Sequence, residues 1–304
     1  MSRMQVLMSK AGAVAHQLAV ELSSAAPGDR MATVQELSER HGVGKGTVQA
    51  ALALLEEAGA VRIRPRGKLG TFIAEIDHSL IWELAGGQSV SVAMPLPYSR
   101  RYEGLATGLH AAFGRAGVPL TLMFVRGSID RARALQQERA DFAVMSRFSA
   151  EAEPGVEIVH DFGPHTYVGA HGLVVVEGRD PDDPDLRVAV DPASVDQREL
   201  TMARFPDLPP ERRVEVSYNQ LTRYFAEGLV DATVWNLDEI DAHISIPVTV
   251  HPLEGVDDHA TTSAVIVARS GADTVPTPVR AALGDDLIME SADEVVAGRR
   301  IPTY

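Results

Sequence analysis

The chain has 304 residues, 45% of them hydrophobic, a formal net charge of −14 and no cysteine. Disulfides, thiolate metal ligands and cysteine nucleophiles are therefore excluded, and the length suits two domains, or three lobes, each with its own core. No apolar run reaches the length of a membrane span and the N-terminus lacks the shape of a secretory signal, so a cytoplasmic protein without a membrane partner is expected.

The charge is uneven. Residues 1–78 carry nine Lys/Arg against eight Asp/Glu, and residues 79–304 carry nineteen against thirty-four. All three lysines, Lys10, Lys45 and Lys68, lie in the first part. A near-neutral head with clustered cations on an acidic body fits a nucleic-acid reader joined to a module that does not touch nucleic acid.

Residues 1–9 read as an arm. Residues 10–22 place Val14, Leu18 and Leu22 in helical register. Thr33-Val34-Gln35-Glu36 then has the form of a capping box, with Leu37 on the face of Val34 and a stop at His41-Gly42. Val43 plugs a turn between two glycines able to take unusual φ values. A second helix from Lys45 to about Ala58 turns Val48, Ala51, Leu52 and Leu55 inward and leaves Lys45, Thr47 and Gln49 exposed at its start. Val61 to Arg64 and Gly70 to Ile73 read as a hairpin around Pro65-Arg66-Gly67-Lys68. Arg62, Arg64, Arg66 and Lys68 put four cations within seven residues, a grip for phosphates or a minor groove. Helix, turn, helix and basic wing in this order suit a reader of duplex DNA.

These residues resemble the GntR-type winged helix. The likeness lies in Pro27-Gly28-Asp29-Arg30, Gly42-Val43, Leu54-Glu56-Glu57-Gly59 and Gly70-Thr71-Phe72. The resemblance implies DNA contacts from Thr33, Gly44, Lys45, Gly46, Thr47, Gln49 and Gly67. Gly44 and Gly46 lack the family's hydroxyls and Gln49 replaces a base-reading arginine, so the operator sequence does not carry over and the wing arginines gain weight.

Residues 76–88 read as a linker whose apolar Leu80-Ile81-Trp82 implies dimer packing or docking to the body. From Ser89 the texture is α/β. Strands at 89–94, 119–125 and 141–145 alternate with helices at 101–116 and 128–138, an order that argues for a parallel sheet. A second run follows, with strands at 186–190, 214–216 and 232–235 and helices at 195–204 and 220–227. The strand at 263–269 and a helix at 278–283 return to the first lobe. The expected fold is thus α/β overall, a winged helix (1–75) joined to a two-lobed domain (89–304) whose second lobe spans about 170–260. Two such lobes with a double crossover are similar to the type 2 periplasmic-binding-protein fold. Met94-Pro95-Leu96-Pro97, Glu103 to Leu109 and Asp141-Phe142-Ala143-Val144 resemble the YhfZ-type regulators, which implies a transcription factor with a sensing body.

Ligands of open α/β lobes bind beyond the carboxyl ends of strands. That rule nominates Pro95, Pro97, Tyr98, Ser99, Arg100, Arg101, Ser146, Arg147 and His165 in the first lobe. It nominates Asp191, Ser194, Asn219 and Asn236 in the second. Arg100 and Arg101 at a helix N-terminus favour an anionic group. Trp235 reads as core. His160, His165 and His171 lie on strand and loop and are not expected to hold a metal.

The expected function is a one-component regulator, a homodimer on a double-stranded operator, answering to a small-molecule effector without a cofactor. The alternatives are a constitutive or architectural DNA binder and an enzyme fused to a DNA-binding head. The body has no lysine to hold pyridoxal phosphate, no Gly-x-Ser-x-Gly elbow, no HExxH and no P-loop.

Overall fold

The computed structural model describes residues 9–23, 25–217, 220–240, 244, 246–256, 258–271 and 275–304. The expected arm at 1–9 therefore falls almost wholly outside the described residues. The chain begins with helices α1 (Lys10–Leu22), α2 (Val34–His41) and α3 (Lys45–Glu57), strands β1 (Val61–Pro65) and β2 (Thr71–Ile76), and helix α4 (His78–Leu84). It continues through β3 (Val90–Met94), α5 (Arg100–Arg115), β4 (Leu120–Phe124), α6 (Ser128–Gln136), β5 (Phe142–Ser146), α7 (Arg147–Ala152) and β6 (Val156–Asp161). Next come β7 (His171–Val176), β8 (Val188–Val190), α8 (Val195–Arg204), β9 (Arg213–Glu215), α9 (Leu221–Ala226), β10 (Ala232–Asn236) and β11 (Val248–Pro252). The last elements are α10 (Asp258–Thr262), β12 (Ala264–Arg269), α11 (Thr277–Leu283) and α12 (Leu287–Val296). Two compact units result: residues through Val90 with 111–120 and 273–285, and residues 91–110, 121–272 and 286–304.

In the first unit the capping box forms as the sequence requires. Thr33 Oγ1 accepts from the Glu36 N–H, and the Glu36 carboxylate accepts from the Thr33 N–H at 2.7 Å. These bonds hold the Glu36 carboxyl below its ordinary range. Gly42 ends α2 at φ 63°, a left-handed cap that suits glycine. Gly44, by contrast, has φ −67°, so only one of the two turn glycines uses its special freedom. Leu18, Leu22, Leu37, Val48, Leu52, Leu55, Val61 and Ile73 fill the core.

Residues 76–88 are not a free linker. β2 runs to Ile76, and Asp77 caps α4 by accepting from the Ser79 and Leu80 N–H groups. Ile81 is fully buried in the winged-helix core, with Leu80 and Leu84 packed against it. Ser79 lies against Gly117, in the turn after α5. The apolar segment thus completes the core of its own unit.

The second unit contains two five-stranded sheets. One has the order β4-β3-β5-β12-β6, the other β11-β7-β10-β8-β9. Neither is purely parallel as the sequence suggested. β3 and β5 pair parallel, but β12 runs antiparallel to both β5 and β6, because the chain returns from the second lobe to enter the first sheet. Likewise β8 pairs parallel with β9 and β10, while β7 is antiparallel to β10 and β11. Alternate residues of β7 face opposite ways: Val174 joins a cluster with Trp235, Leu221 and Phe225, and Leu173 and Val175 join one with Leu186 and Val188. Helices therefore cover both faces.

Gly104 and Gly108 let α5 pack closely on α12. A Cβ at Gly108 would lie 2.2 Å from the Ile288 carbonyl oxygen, and one at Gly104 would lie 2.9 Å from the Ala292 Cα. Gly108→Ala is therefore expected to destabilise the body by about 2 kcal/mol. Gly114→Ala on the same helix meets open space and is expected to stabilise slightly. Opposite shifts in denaturant midpoint would verify the packing; equal shifts would contradict it.

Candidate functional site

Two surfaces carry chemistry. The first is the start of α3 with the hairpin. Gly44 caps α3 without a side-chain acceptor; the Thr47 N–H donates to the Gly44 carbonyl, and the Lys45 and Gly46 N–H groups ahead of it are the ones placed to meet an anion such as a phosphate. Gly44, Lys45, Gly46 and Gln49 are exposed and Thr47 is half-buried. Nothing lies within 4 Å of a Cβ built on Gly44 or Gly46, so the hydroxyls missing there leave room rather than a filled contact. The Thr33 hydroxyl, at the start of α2, is already engaged with Glu36.

On the wing, Arg62 pairs with Glu75 across the hairpin at 3.2 Å, both side chains well exposed. Arg66 is exposed and stacks over Phe72, 4.7 Å from the ring centroid. Arg64 is exposed and has no hydrogen-bond or ion-pair partner among the described residues. Gly67 turns the tip at φ 57°, and the side chain of Lys68 lies outside the described residues. Arg30, which was not singled out among the site residues, bridges to Phe72 and lies against Gly70, adding a cation beside the wing.

The second surface is a cavity of about 50 Å³ where the two sheets of the body face each other. Pro95, Tyr98, Asp191, Ser194 and Asn236 line it, as strand-end logic suggested. Pro97, Ser99, Arg100, Arg101, Ser146, Arg147 and His165 do not. Ser99 caps the start of α5 by accepting from the Tyr102 N–H. Arg100 pairs with Glu103, and Arg147 pairs with Glu151 and Asp161. Arg101 donates to Asp238 at 2.9 Å and to the His165 carbonyl at 2.5 Å, tying the lobes outside the cavity. Ser146 donates to Asp196 at 2.6 Å. Asn219 lies outside the described residues. Trp235 is buried in the core.

The sequence reading missed the cavity's charged centre. Arg126, Ser128 and Arg131 line it from the first lobe, with Tyr102 and Tyr167; Asp196 and Gln197 line it from the second. Arg126 follows β4 and donates to both oxygens of Asp191, at 2.9 and 2.8 Å. Asp191 is 1% exposed. Ser128 Oγ accepts from the Val195 N–H, and Asp196 accepts from the Ser146 and Ser149 hydroxyls. Gln197 is fully engaged, receiving the Asp191 N–H and donating to the Ala189 carbonyl and the Thr201 and Thr233 hydroxyls. Burial holds the Tyr167 phenol above its ordinary range, against the opposing pull of Arg131. Among the described residues no cluster of three or more His, Asp or Glu side chains is placed to hold a metal, and no helix is long and apolar enough to cross a membrane.

Comparison with known proteins agrees with this two-part architecture. Residues 26–73 match a helix-turn-helix domain and residues 77–304 match the YhfZ C-terminal domain. The chain is 33% identical over 306 aligned residues, 99% of each sequence, to the Escherichia coli (strain K12) protein named "Uncharacterized protein YhfZ". The crystal structure of YhfZ from Shigella flexneri superposes with a TM-score of 0.58 at 34% identity, covering 71% of this chain and 93% of that one. The BvgS VFT2 domain of Bordetella pertussis matches at a TM-score of 0.52 and 17% identity, over 75% of this chain and 99% of that one, a likeness of fold alone. With a helix-turn-helix head that points to a DNA-binding regulator and a body that matches the YhfZ C-terminal domain, the chain belongs to the YhfZ family.

Proposed function

We propose that the protein is a one-component transcriptional regulator, acting as a cytoplasmic homodimer, whose head (1–75) reads duplex DNA and whose body (89–304) senses a small-molecule effector. The observation that carries the sensing role is the cavity itself: side chains from both lobes converge on it, and Arg126–Asp191 closes it with a buried charge. A ligand that prefers the closed or the open body shifts that equilibrium; if the head's DNA affinity differs between the two, DNA must change the ligand's affinity by the same factor as the ligand changes DNA affinity. DNA recognition rests on the exposed start of α3, its open N–H groups and the cation-tipped hairpin. Two heads per assembly supply the half-site pairing that a single winged helix lacks.

The test is direct. Duplex fragments from the protein's own promoter region are titrated at low salt, with and without a panel of small metabolites. Sequence-selective binding that a metabolite moves several-fold is expected. Binding that no metabolite moves would favour the constitutive reading, and no binding at all would remove the regulator.

A further inference from the structure

We propose that the ligand of the inter-lobe cavity is a compact organic carboxylate held by Arg131. This deepens the effector-sensing reading and rests on it for the consequence of binding, though not for the binding itself. Arg131, on α6, is 3% exposed. One terminal nitrogen donates to the Val125 carbonyl at 3.1 Å and the other to the Tyr167 hydroxyl at 3.0 Å. Both acceptors are neutral, since burial keeps Tyr167 a phenol. Nε–H has no acceptor, and Arg131 makes no ion pair among the described residues.

A buried guanidinium without an anion is an unfavourable arrangement that nearby charges normally relieve. The cavity's own charges do not relieve it. Arg126 and Asp191 neutralise each other. Asp196 is met by two hydroxyls and stands in the first turn of α8, where the helix end favours a negative group. Arg131 is left as a cation with an idle donor on the wall of a polar cavity. Its planar fork matches a carboxylate better than a spherical ion.

The rest of the lining gives the ligand its body. Pro95, Leu96, Tyr98, Tyr102 and Val168 form an apolar and aromatic wall around the charged end. The free volume of about 50 Å³ admits only a few heavy atoms in the closed arrangement. Pockets for drug-sized ligands measure about 300–1,000 Å³.

The full-length protein, dialysed into chloride buffer, is titrated calorimetrically and by thermal shift with acetate, lactate, pyruvate, malonate and glycine, and with inorganic phosphate. At least one carboxylate is expected to bind with Kd below about 1 mM and to raise Tm, with phosphate weaker. Arg131→Lys keeps the charge but loses the fork, and should weaken that ligand by about tenfold or more; Arg131→Gln should abolish binding. Arg223→Ala, whose exposed side chain pairs with Glu227 and does not line the cavity, should leave it unchanged. Should Arg131→Gln fail to fold, Arg131→Lys carries the comparison. The proposal is overturned if no carboxylate binds, if phosphate binds more tightly, or if folded Arg131 variants bind like the parent. A carboxylate that binds through Arg131 but leaves DNA affinity unmoved would overturn the effector role and keep the site.

Discussion

Arg126→Ala is expected to lower the stability of the body by about 3 kcal/mol and to loosen the cleft. Asp191 is 1% exposed, and the Arg126 guanidinium meets both of its carboxylate oxygens at 2.8–2.9 Å. Truncation would remove that bidentate counter-charge, while the Ala193 N–H would still donate to the carboxylate at 2.9 Å. Breaking a fully buried pair from one side costs about 3–5 kcal/mol, and the lower end applies because the Arg126 side chain is 35% exposed. The lobes can also part and rehydrate Asp191, which frees the Val195 amide from Ser128 Oγ. Hydrogen exchange over residues 191–197 should therefore accelerate in the variant by more than the global loss of stability accounts for. Arg126→Ala with Asp191→Asn removes the stranded charge and should recover much of the loss. Unchanged melting and unchanged exchange in the single variant would show that the lobes are held shut by other contacts, such as Arg101–Asp238.

The head was legible because its signals are local. Thr33 and Glu36 announce a helix start by chemistry that acts over three residues, and the spacing of Val48, Leu52 and Leu55 fixes a buried face within one helix. The α4 segment was less legible for the opposite reason. Leu80-Ile81-Trp82 looks like an exposed apolar cluster until α1 is beside it, and that neighbour lies some sixty residues away. Seven strands of the body fall within a few residues of their sequence positions, but β6, β7 and β11 carried no separate signal, and strand direction was not legible because β12 joins a sheet begun far upstream.

The cavity shows both the reach and the limit of strand-end reasoning. The loop after β3 supplies Pro95 and Tyr98, and Arg126 stands in the equivalent place after β4, where no sequence motif marks it. Arg131 left a fainter trace. It shares a helix face with the buried Ala134 and Leu135, so an arginine at an apolar position was visible in the spacing. Whether such an arginine meets a carboxylate or a neutral acceptor depends on Tyr167, which belongs to the crossing between lobes. Pattern alone does not reach that far.

Arg64→Ala combined with Arg66→Ala is expected to weaken operator binding by about tenfold to a hundredfold near physiological salt. It should flatten the salt dependence by up to about two in the slope of log K against log salt. Arg64 has no hydrogen-bond or ion-pair partner among the described residues, and Arg66 is exposed with its guanidinium over the Phe72 ring, so neither removal leaves a buried charge behind. The stability of the head should change little, which separates lost contact from lost fold. Arg62→Ala is the internal comparison. Its guanidinium already faces Glu75 at 3.2 Å, and a phosphate must compete for it, so the loss of affinity should be smaller. Fluorescence anisotropy on a promoter duplex across a salt series reads both quantities. A double variant with the parental slope would show that the wing does not approach the DNA backbone. Recognition would then fall to Lys45, Thr47 and Gln49 at the start of α3, which stand exposed or half-exposed to receive it.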